Sequence, residues 1–286
     1  EYGGEVELVD GAFDDAVAAA RDAARSSGRM VVHAFDDPLV VAGQGTVGRE
    51  LLRQVPDLRM VVVPLGGGGL TSGIAIAVKA AVPDARVVGV QSDLCAPFAG
   101  QEPTGGRSTI CDGIAVKHPG EVTAPLVERL VDEVVTVSDD EAAEAMVMLL
   151  ERSKQVVEGA GAVGVAALMH GRVEPAADGA TVAILSGGNV DATLLAEAIR
   201  LGETSAGRRM VLATTIPDRP GGLATLLAIV ARLGANVLDV EHLRDGMDLH
   251  VRETAVQLVL QTRGPDHDWQ IVEAVRDAGY EPRLEH

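Results

Sequence analysis

Aromatic side chains are nearly missing from this sequence, which has one Trp, two Tyr and three Phe among 286 residues. A core must therefore be built from Ala, Val, Leu and Ile. Cysteine is equally sparse: Cys95 and Cys111 offer neither metal-site spacing nor a disulfide framework, as expected in a reducing cytoplasm. No apolar run is long enough to span a membrane, and the first residues do not read as a signal peptide. Basic residues are outnumbered, 24 Lys and Arg against 42 Asp and Glu, giving a formal charge of −18. That balance argues against nucleic acid or anionic membranes as partners, since both demand neutralisation of phosphate charge. Lysine occurs only as Lys79, Lys117 and Lys154.

Glycine, by contrast, is plentiful, and four stand together. The stretch from Arg59 to Ala81 begins with the apolar run Met60–Val63, turns through Pro64-Leu65 and enters Gly66, Gly67, Gly68 and Gly69. Leu70-Thr71-Ser72-Gly73 and the small-residue segment Ile74–Val78 follow. The pattern predicts a buried strand, a glycine loop and a helix. Such a loop can turn several backbone N–H groups toward one point, and the helix N-terminus adds partial positive charge. Any Cβ would block close approach of a ligand to that backbone. The spacing predicts a phosphate site at Gly66–Leu70. It is not a nucleotide P-loop, because no Lys stands between Gly66 and Ser72. Upstream, Gly43-Gln44-Gly45-Thr46-Val47-Gly48 is a literal G-x-G-x-x-G. A dinucleotide site requires an acidic residue ending the next strand, and that strand ends in Pro64-Leu65 and glycines. A nicotinamide enzyme is the weaker alternative, which cofactor absorbance would exclude.

The length suggests about two domains. Glu5–Val9 and Met30–Val32 read as strands around an Ala-rich helix, Asp14–Arg25, with a polar loop over His33–Pro38. Ala85–Val90 is the next strand, ending in Gln91-Ser92-Asp93, and residues 99–123 are loop-rich. Ser138 and Glu141 form a capping box. Glu158 opens a small-residue helix, whose N-terminus its charge complements. Val182–Leu185 delivers Ser186-Gly187-Gly188-Asn189 to the carboxyl end of a strand, where open α/β sheets bind ligands. Ser186 also suits the N-cap of a helix over Val190–Arg200. After the polar segment Gly202–Gly207, strands and helices alternate in the βαββαβ order of ferredoxin-like domains.

The segment PLGGGGLTSGIA resembles the phosphate cup of fold-type II pyridoxal-phosphate (PLP) enzymes, in the branch of threonine dehydratases and serine racemases. AGQGTVG, TICDGIAV and Ser186 extend the resemblance, and IPDRPGGLATLLAIVARLGANVLDVEHLR resembles an ACT regulatory domain. Together they cover nearly the whole chain. The resemblance implies an open, twisted α/β sheet of the tryptophan synthase β-like class over residues 1–201. A linker over 202–208 and a ferredoxin-like ACT domain over 209–283 follow, with Leu284-Glu285-His286 set aside as a tag remnant. It implies PLP as cofactor, its phosphate at Gly66–Leu70, its pyridine nitrogen on Ser186, Gly113 in the active-site wall and Glu158 near the ring. AGQGTVG is expected to pack helix on sheet. Asp218, Gly221, Gly222, Leu223 and Asn236 are the expected contacts of an amino-acid effector, in a homodimer or homotetramer. Gln91 stands where serine racemase-like relatives carry a cation-binding glutamate, so no metal is assigned.

The implied reaction is deamination of threonine to 2-oxobutanoate and ammonia, with serine giving pyruvate. A neutral hydroxyl on the pyridine nitrogen does not enforce a pyridinium, which suits β-elimination better than transamination. The resemblance also implies a Schiff-base lysine in a segment ahead of residue 1. Lys79 lies ten residues beyond Gly69, about 15 Å along a helix. Lys154 falls near a helix end and Lys117 in a loop, and none has the family's Ser-x-Lys context. No catalytic residue is therefore assigned. A serine racemase-like enzyme and a catalytically inactive amino-acid sensor are the alternatives.

Overall fold

The computed structural model describes residues 3–11, 13–101, 108–243 and 251–285, and its chain divides into two units, residues 1–191 and 192–286.

A parallel sheet organises the first unit. In β1 (Leu58–Pro64) the side chains of Met60, Val61, Val62 and Val63 are fully buried. A continuous apolar run of this kind belongs to a strand covered on both faces. β1 pairs with β2 (Arg86–Ser92) and with β4 (Ala180–Ala183), and β2 pairs with β3 (Glu133–Val137), all in parallel. The order β3-β2-β1-β4 makes β1 and β4 neighbours, so their carboxyl ends emerge side by side. One leads into the glycine run and the other into Ser186, which explains how segments so distant in sequence share a site.

The α-helices described in this unit are α1 (Phe13–Ser27), α2 (Pro38–Gln54), α3 (Gly69–Ala81), α4 (Thr123–Leu130), α5 (Asp139–Met148) and α6 (Gly159–Met169). α2 starts where Asp37 accepts hydrogen bonds from the Leu39 and Val40 N–H groups, with Pro38 pre-set for the first turn. α5 starts on the expected capping box, Ser138 and Glu141 satisfying each other's backbone. Burial pushes the Glu141 carboxyl up, but the Ser138 N–H and the Arg172 guanidinium outweigh it and hold the group below its ordinary range. α6 is apolar on all sides and buried from Gly159 to Gly164, a helix enclosed by its unit.

Two expectations change. Glu5–Val9 and Met30–Val32 are not strands: neither finds a partner strand among the described residues, and Val6, Leu8, Met30 and Val32 are exposed. An alternating or continuous apolar run supplies a face, but a strand also needs a neighbour to satisfy its backbone. The G-x-G-x-x-G run lies inside α2 and packs helix on helix rather than helix on sheet. A Cβ on Gly73 would come within 2.4 Å of the Val41 carbonyl oxygen and 2.6 Å of the Gly45 nitrogen. One on Gly48 would meet the Ala77 Cβ at 2.8 Å. These glycines let α2 and α3 touch backbone to backbone.

The second unit begins with α7 (Ala192–Ser205) and continues as β5 (Arg209–Pro217), α8 (Gly222–Arg232), β6 (Asn236–Leu243), β7 (Glu253–Gln261), α9 (Pro265–Asp277) and β8 (Arg283–Glu285). Its sheet has the order β6-β7-β5-β8 and is antiparallel throughout. Met210, Leu212 and Ile216 of β5 meet Leu258 and Leu260 of β7 against Leu226 and Val230 of α8 and Ile271 of α9. His267 locks the two helices: its Nδ1 accepts the Arg263 N–H and its Nε2 lies 2.9 Å from the Leu233 carbonyl. The segment read as a linker over 202–208 is helical as far as Ser205, because no glycine interrupts α7 between Gly202 and Gly207. Leu284, set aside as tag, pairs with Leu212 and forms part of β8. Residues 102–107 of the loop read over 99–123, and His286, lie outside the described residues.

Candidate active site

A cavity of about 420 Å³ opens at the carboxyl ends of β1 and β4. Its floor is Gly66, Gly67, Gly68, Gly69 and Leu70, one wall is Asp112–Val116, and Ser186 lines it as well. The structure thus brings together seven of the eight residues expected to contact the cofactor: the five of the glycine run, Gly113 and Ser186. Glu158 is the eighth and does not line the cavity. It stands behind Gly113, its Oε1 3.7 Å from where a Gly113 Cβ would be. Its Oε2 accepts the Asn189 N–H and its own N–H donates to the Gly187 carbonyl. Glu158 therefore shapes the loop that carries Ser186.

The floor has the geometry of an anion receptor. α3 begins at Gly69, with Gly68 at φ +93°, a left-handed conformation that side-chain-bearing residues rarely adopt. Among the described residues, no backbone acceptor takes the N–H groups of Gly66, Gly67, Gly68, Gly69 and Leu70. Side chains would crowd this stretch: a Cβ on Gly66 would sit 2.9 Å from the Ile114 Cα, and one on Gly67 would sit 2.4 Å from the Phe35 ring. A phosphate suits this floor of donors at a helix N-terminus, and a ring suits the apolar walls above it. Lys79, Lys117 and Lys154 are all absent from the lining. Lys79 pairs with Asp132, 2.8 Å away, and the Lys154 ammonium donates to the Glu151 carbonyl.

Sequence reasoning passed over the residues that support this floor. Phe35 lines the cavity, edge-on to His33 with ring centroids 4.7 Å apart. The His33 Nδ1 accepts the N–H groups of Phe35 and Asp36, which folds the loop tightly. Asp36 then accepts the N–H groups of Glu121, Val122 and Thr123 and so caps α4 from 85 positions away. The one available signal was that Phe is scarce and stands here beside two aspartates. Across the site, Asp139 accepts hydrogen bonds from Thr109 and the Ile110 N–H, anchoring the stretch of chain that enters the Asp112–Val116 wall.

Behind that wall Cys111 is fully buried, and burial first, then the nearby Asp139 charge, pushes its thiol up to about 12. Burial also raises the Cys95 thiol. Neither is a nucleophile near neutral pH. In native protein at about pH 8, Cys111 should resist a soluble aromatic disulfide reagent, and both thiols should react once denaturant is added. Rapid labelling of Cys111 without denaturant would contradict this burial.

In the second unit the five expected effector contacts do not meet. Asp218, Gly221, Gly222 and Leu223 follow β5 into α8, where the Gly222 N–H bonds to Arg219. Asn236 opens β6 opposite Gln261, which also faces Arg209 at the far end of β5. The length of β5 separates Arg209 from Pro217, about 26 Å. Asn236 instead donates to the Gln261 side chain.

Comparison with known proteins agrees with this geometry. The family described as pyridoxal-phosphate dependent enzyme matches residues 1–187. The L-threonine ammonia-lyase of Geobacter sulfurreducens is 43% identical over 287 residues, covering 98% of this chain and 71% of its own length. Among solved structures, a threonine deaminase from T.th. has a TM-score of 0.60 at 37% identity, covering 66% of this chain. Maize serine racemase has a TM-score of 0.61 at 32% identity, covering 69%. The chain spans 65% and 63% of those two crystallised chains.

Proposed function

The chain belongs to the family of pyridoxal-phosphate dependent enzymes, and on that premise we propose that it serves the deamination of L-threonine to 2-oxobutanoate and ammonia, and of L-serine to pyruvate. The observation that carries this reading is the run of N–H groups without backbone acceptors at Gly66–Leu70, which shares with Ser186 a cavity that, among the described residues, no lysine or arginine lines. Names of relatives support it, since proteins with threonine ammonia-lyase and threonine deaminase in their names align with this chain.

The residues fit the cofactor. Gly66–Leu70 would hold its phosphate through backbone donors and the α3 terminus, with no side-chain charge. Ser186 would meet the pyridine nitrogen as a neutral partner, and Phe35 and Ile114 would flank the site and exclude water. PLP, once bound, supplies the electron sink that acidifies the amino acid Cα–H. The chain's own part is to fix orientation: the Glu158 contacts to Gly187 and Asn189 hold the Ser186 loop, and Asp139 holds the stretch that enters the Asp112–Val116 wall. With no lysine in the lining, the product pattern is more telling than the rate. Incubation with PLP and L-threonine should release 2-oxobutanoate and ammonia in equal amounts, faster than free PLP does and faster than from D-threonine. D-serine formed from L-serine would favour the racemase alternative. No 2-oxo acid above the free-PLP rate would remove the deamination reading.

For residues 209–283 the reading is an ACT domain that takes a small aliphatic amino acid as effector. The N–H groups ahead of α8 would receive its carboxylate. Because Asn236 lies at the far end of the sheet, an effector touching both would have to sit between two copies. Titration calorimetry of the chain with L-valine and L-isoleucine should show binding that Asn236→Ala weakens. Unchanged heats in that variant would confine the effector to the loop, and no heat would leave the unit without an effector role.

A further inference from the structure

We propose that Thr123 and Gln91 are positioning residues for the glycine floor, holding its carbonyls outward so that its N–H groups are already aimed at a phosphate. The proposal rests on the reading of Gly66–Leu70 as a phosphate site. Both side chains are completely buried, and neither lines the cavity. The Thr123 hydroxyl donates to the Gly67 carbonyl at 2.6 Å, across 56 positions of sequence. The Gln91 amide nitrogen donates to the Leu65 carbonyl at 3.1 Å, across 26 positions.

The consequence follows from peptide geometry. No peptide bond among the described residues is cis, and in a trans peptide the C=O and the N–H point in opposite directions. Anchoring the Gly67 carbonyl on Thr123 therefore turns the Gly68 N–H away from α4. Anchoring the Leu65 carbonyl on Gln91 turns the Gly66 N–H away from β2. Gly66 and Gly68 both line the cavity. Glycine peptides lack side chains to hold their orientation, so four in a row would otherwise sample many directions. Donors fixed before the ligand arrives do not have to be ordered on binding.

Each anchor is itself held. The Gln91 Oε1 accepts the Phe98 N–H at 3.0 Å, so the amide has one orientation that satisfies both ends. Thr123 sits in the first turn of α4, whose N–H groups converge on Asp36, and the neighbouring Phe35 lies against Gly67 and Gly69. A buried threonine in a helix commonly satisfies its hydroxyl on its own preceding turn. Thr123 directs its donor to the floor instead.

The test compares Thr123→Val, which keeps the shape and loses the hydroxyl, with Thr123→Ser, which keeps the hydroxyl. PLP affinity is read by equilibrium dialysis on the full chain, with thermal midpoints alongside. T123V should weaken PLP binding about tenfold, the loss of one buried hydrogen bond, and T123S should restore it to within about twofold. PLP bound by T123V as tightly as by the unaltered chain would overturn the proposal, whatever happens to the midpoint. Equal weakening in T123V and T123S would also overturn it, assigning Thr123 to packing alone. Should T123V fail to fold, Gln91→Met carries the same expectation, and unchanged PLP affinity there is an equally decisive refutation. If the unaltered chain binds no PLP, the phosphate-site reading itself fails, a result distinct from any difference among variants.

Discussion

Gly68→Val should reduce PLP binding by about a hundredfold or more, while the rest of the first unit stays folded. Gly68 sits at φ +93°, where a β-branched residue is strained by roughly 1–3 kcal/mol. Its new Cβ would come 3.0 Å from the Thr123 Cβ and 3.2 Å from the Val127 Cγ2, both buried. Relief is available only by rotating the Gly67–Gly68 peptide, which turns the N–H groups away from the cavity. The damage therefore falls on the floor, whereas the sheet behind it is unaffected. Gly67→Val should act in the same direction through the Phe35 ring, which lies 2.4 Å from the added Cβ. Equilibrium dialysis and circular dichroism measure the two halves of the expectation. Retained PLP affinity in folded Gly68→Val would show that the glycine run is a packing device.

Gly73→Val should act on stability. Its side chain would occupy the place where α2 crosses α3, against the Val41 carbonyl and the Gly45 nitrogen, and backbone cannot rotate aside. Forcing the helices apart should cost about 3 kcal/mol or more, a fall of about 6–12 °C in the melting midpoint of a unit this size. Gly43→Ala in the same helix is the control: nothing lies within 4 Å of its added Cβ, and it should be neutral or stabilising by about 0.5–1 kcal/mol. Equal midpoints for Gly73→Val and Gly43→Ala would refute the close crossing.

The contrast between these glycines shows what the sequence made legible. Four consecutive glycines behind a buried strand announced the floor, because both signals are local. Ser186 was legible for the same reason, a serine and glycines at the end of an apolar run. The run Gly43–Gly48 was legible as a motif and opaque in purpose, since a periodic pattern does not say which helix it touches. The supporting roles of Thr123, Gln91, Asp36 and Phe35 were not legible locally, beyond a scarce Phe standing beside two aspartates. The hydrogen bonds by which the first three act, Gln91 on Leu65, Thr123 on Gly67 and Asp36 on Thr123, join positions 26, 56 and 87 apart, and only the fold supplies such pairings. The two early strands failed in the opposite sense, as Glu5–Val9 has the alternation and Met30–Val32 the apolar run, but neither has a described strand beside it. In the second unit the succession of strands and helices along the chain was readable from turn residues and periodicity. The separation of Asn236 from Asp218–Leu223 depended on register along β5 and β7, which periodicity does not carry.

The most direct measurement is equilibrium binding of PLP to the unaltered chain with inorganic phosphate as competitor, followed by borohydride treatment and mass analysis. A floor of backbone donors with no lysine in the cavity lining should bind one PLP per chain, lose it to phosphate competitively, and leave Lys79, Lys117 and Lys154 unmodified. PLP binding that ignores phosphate, or a reduced adduct on one of those lysines, would contradict a phosphate receptor at Gly66–Leu70 as the centre of this protein's chemistry.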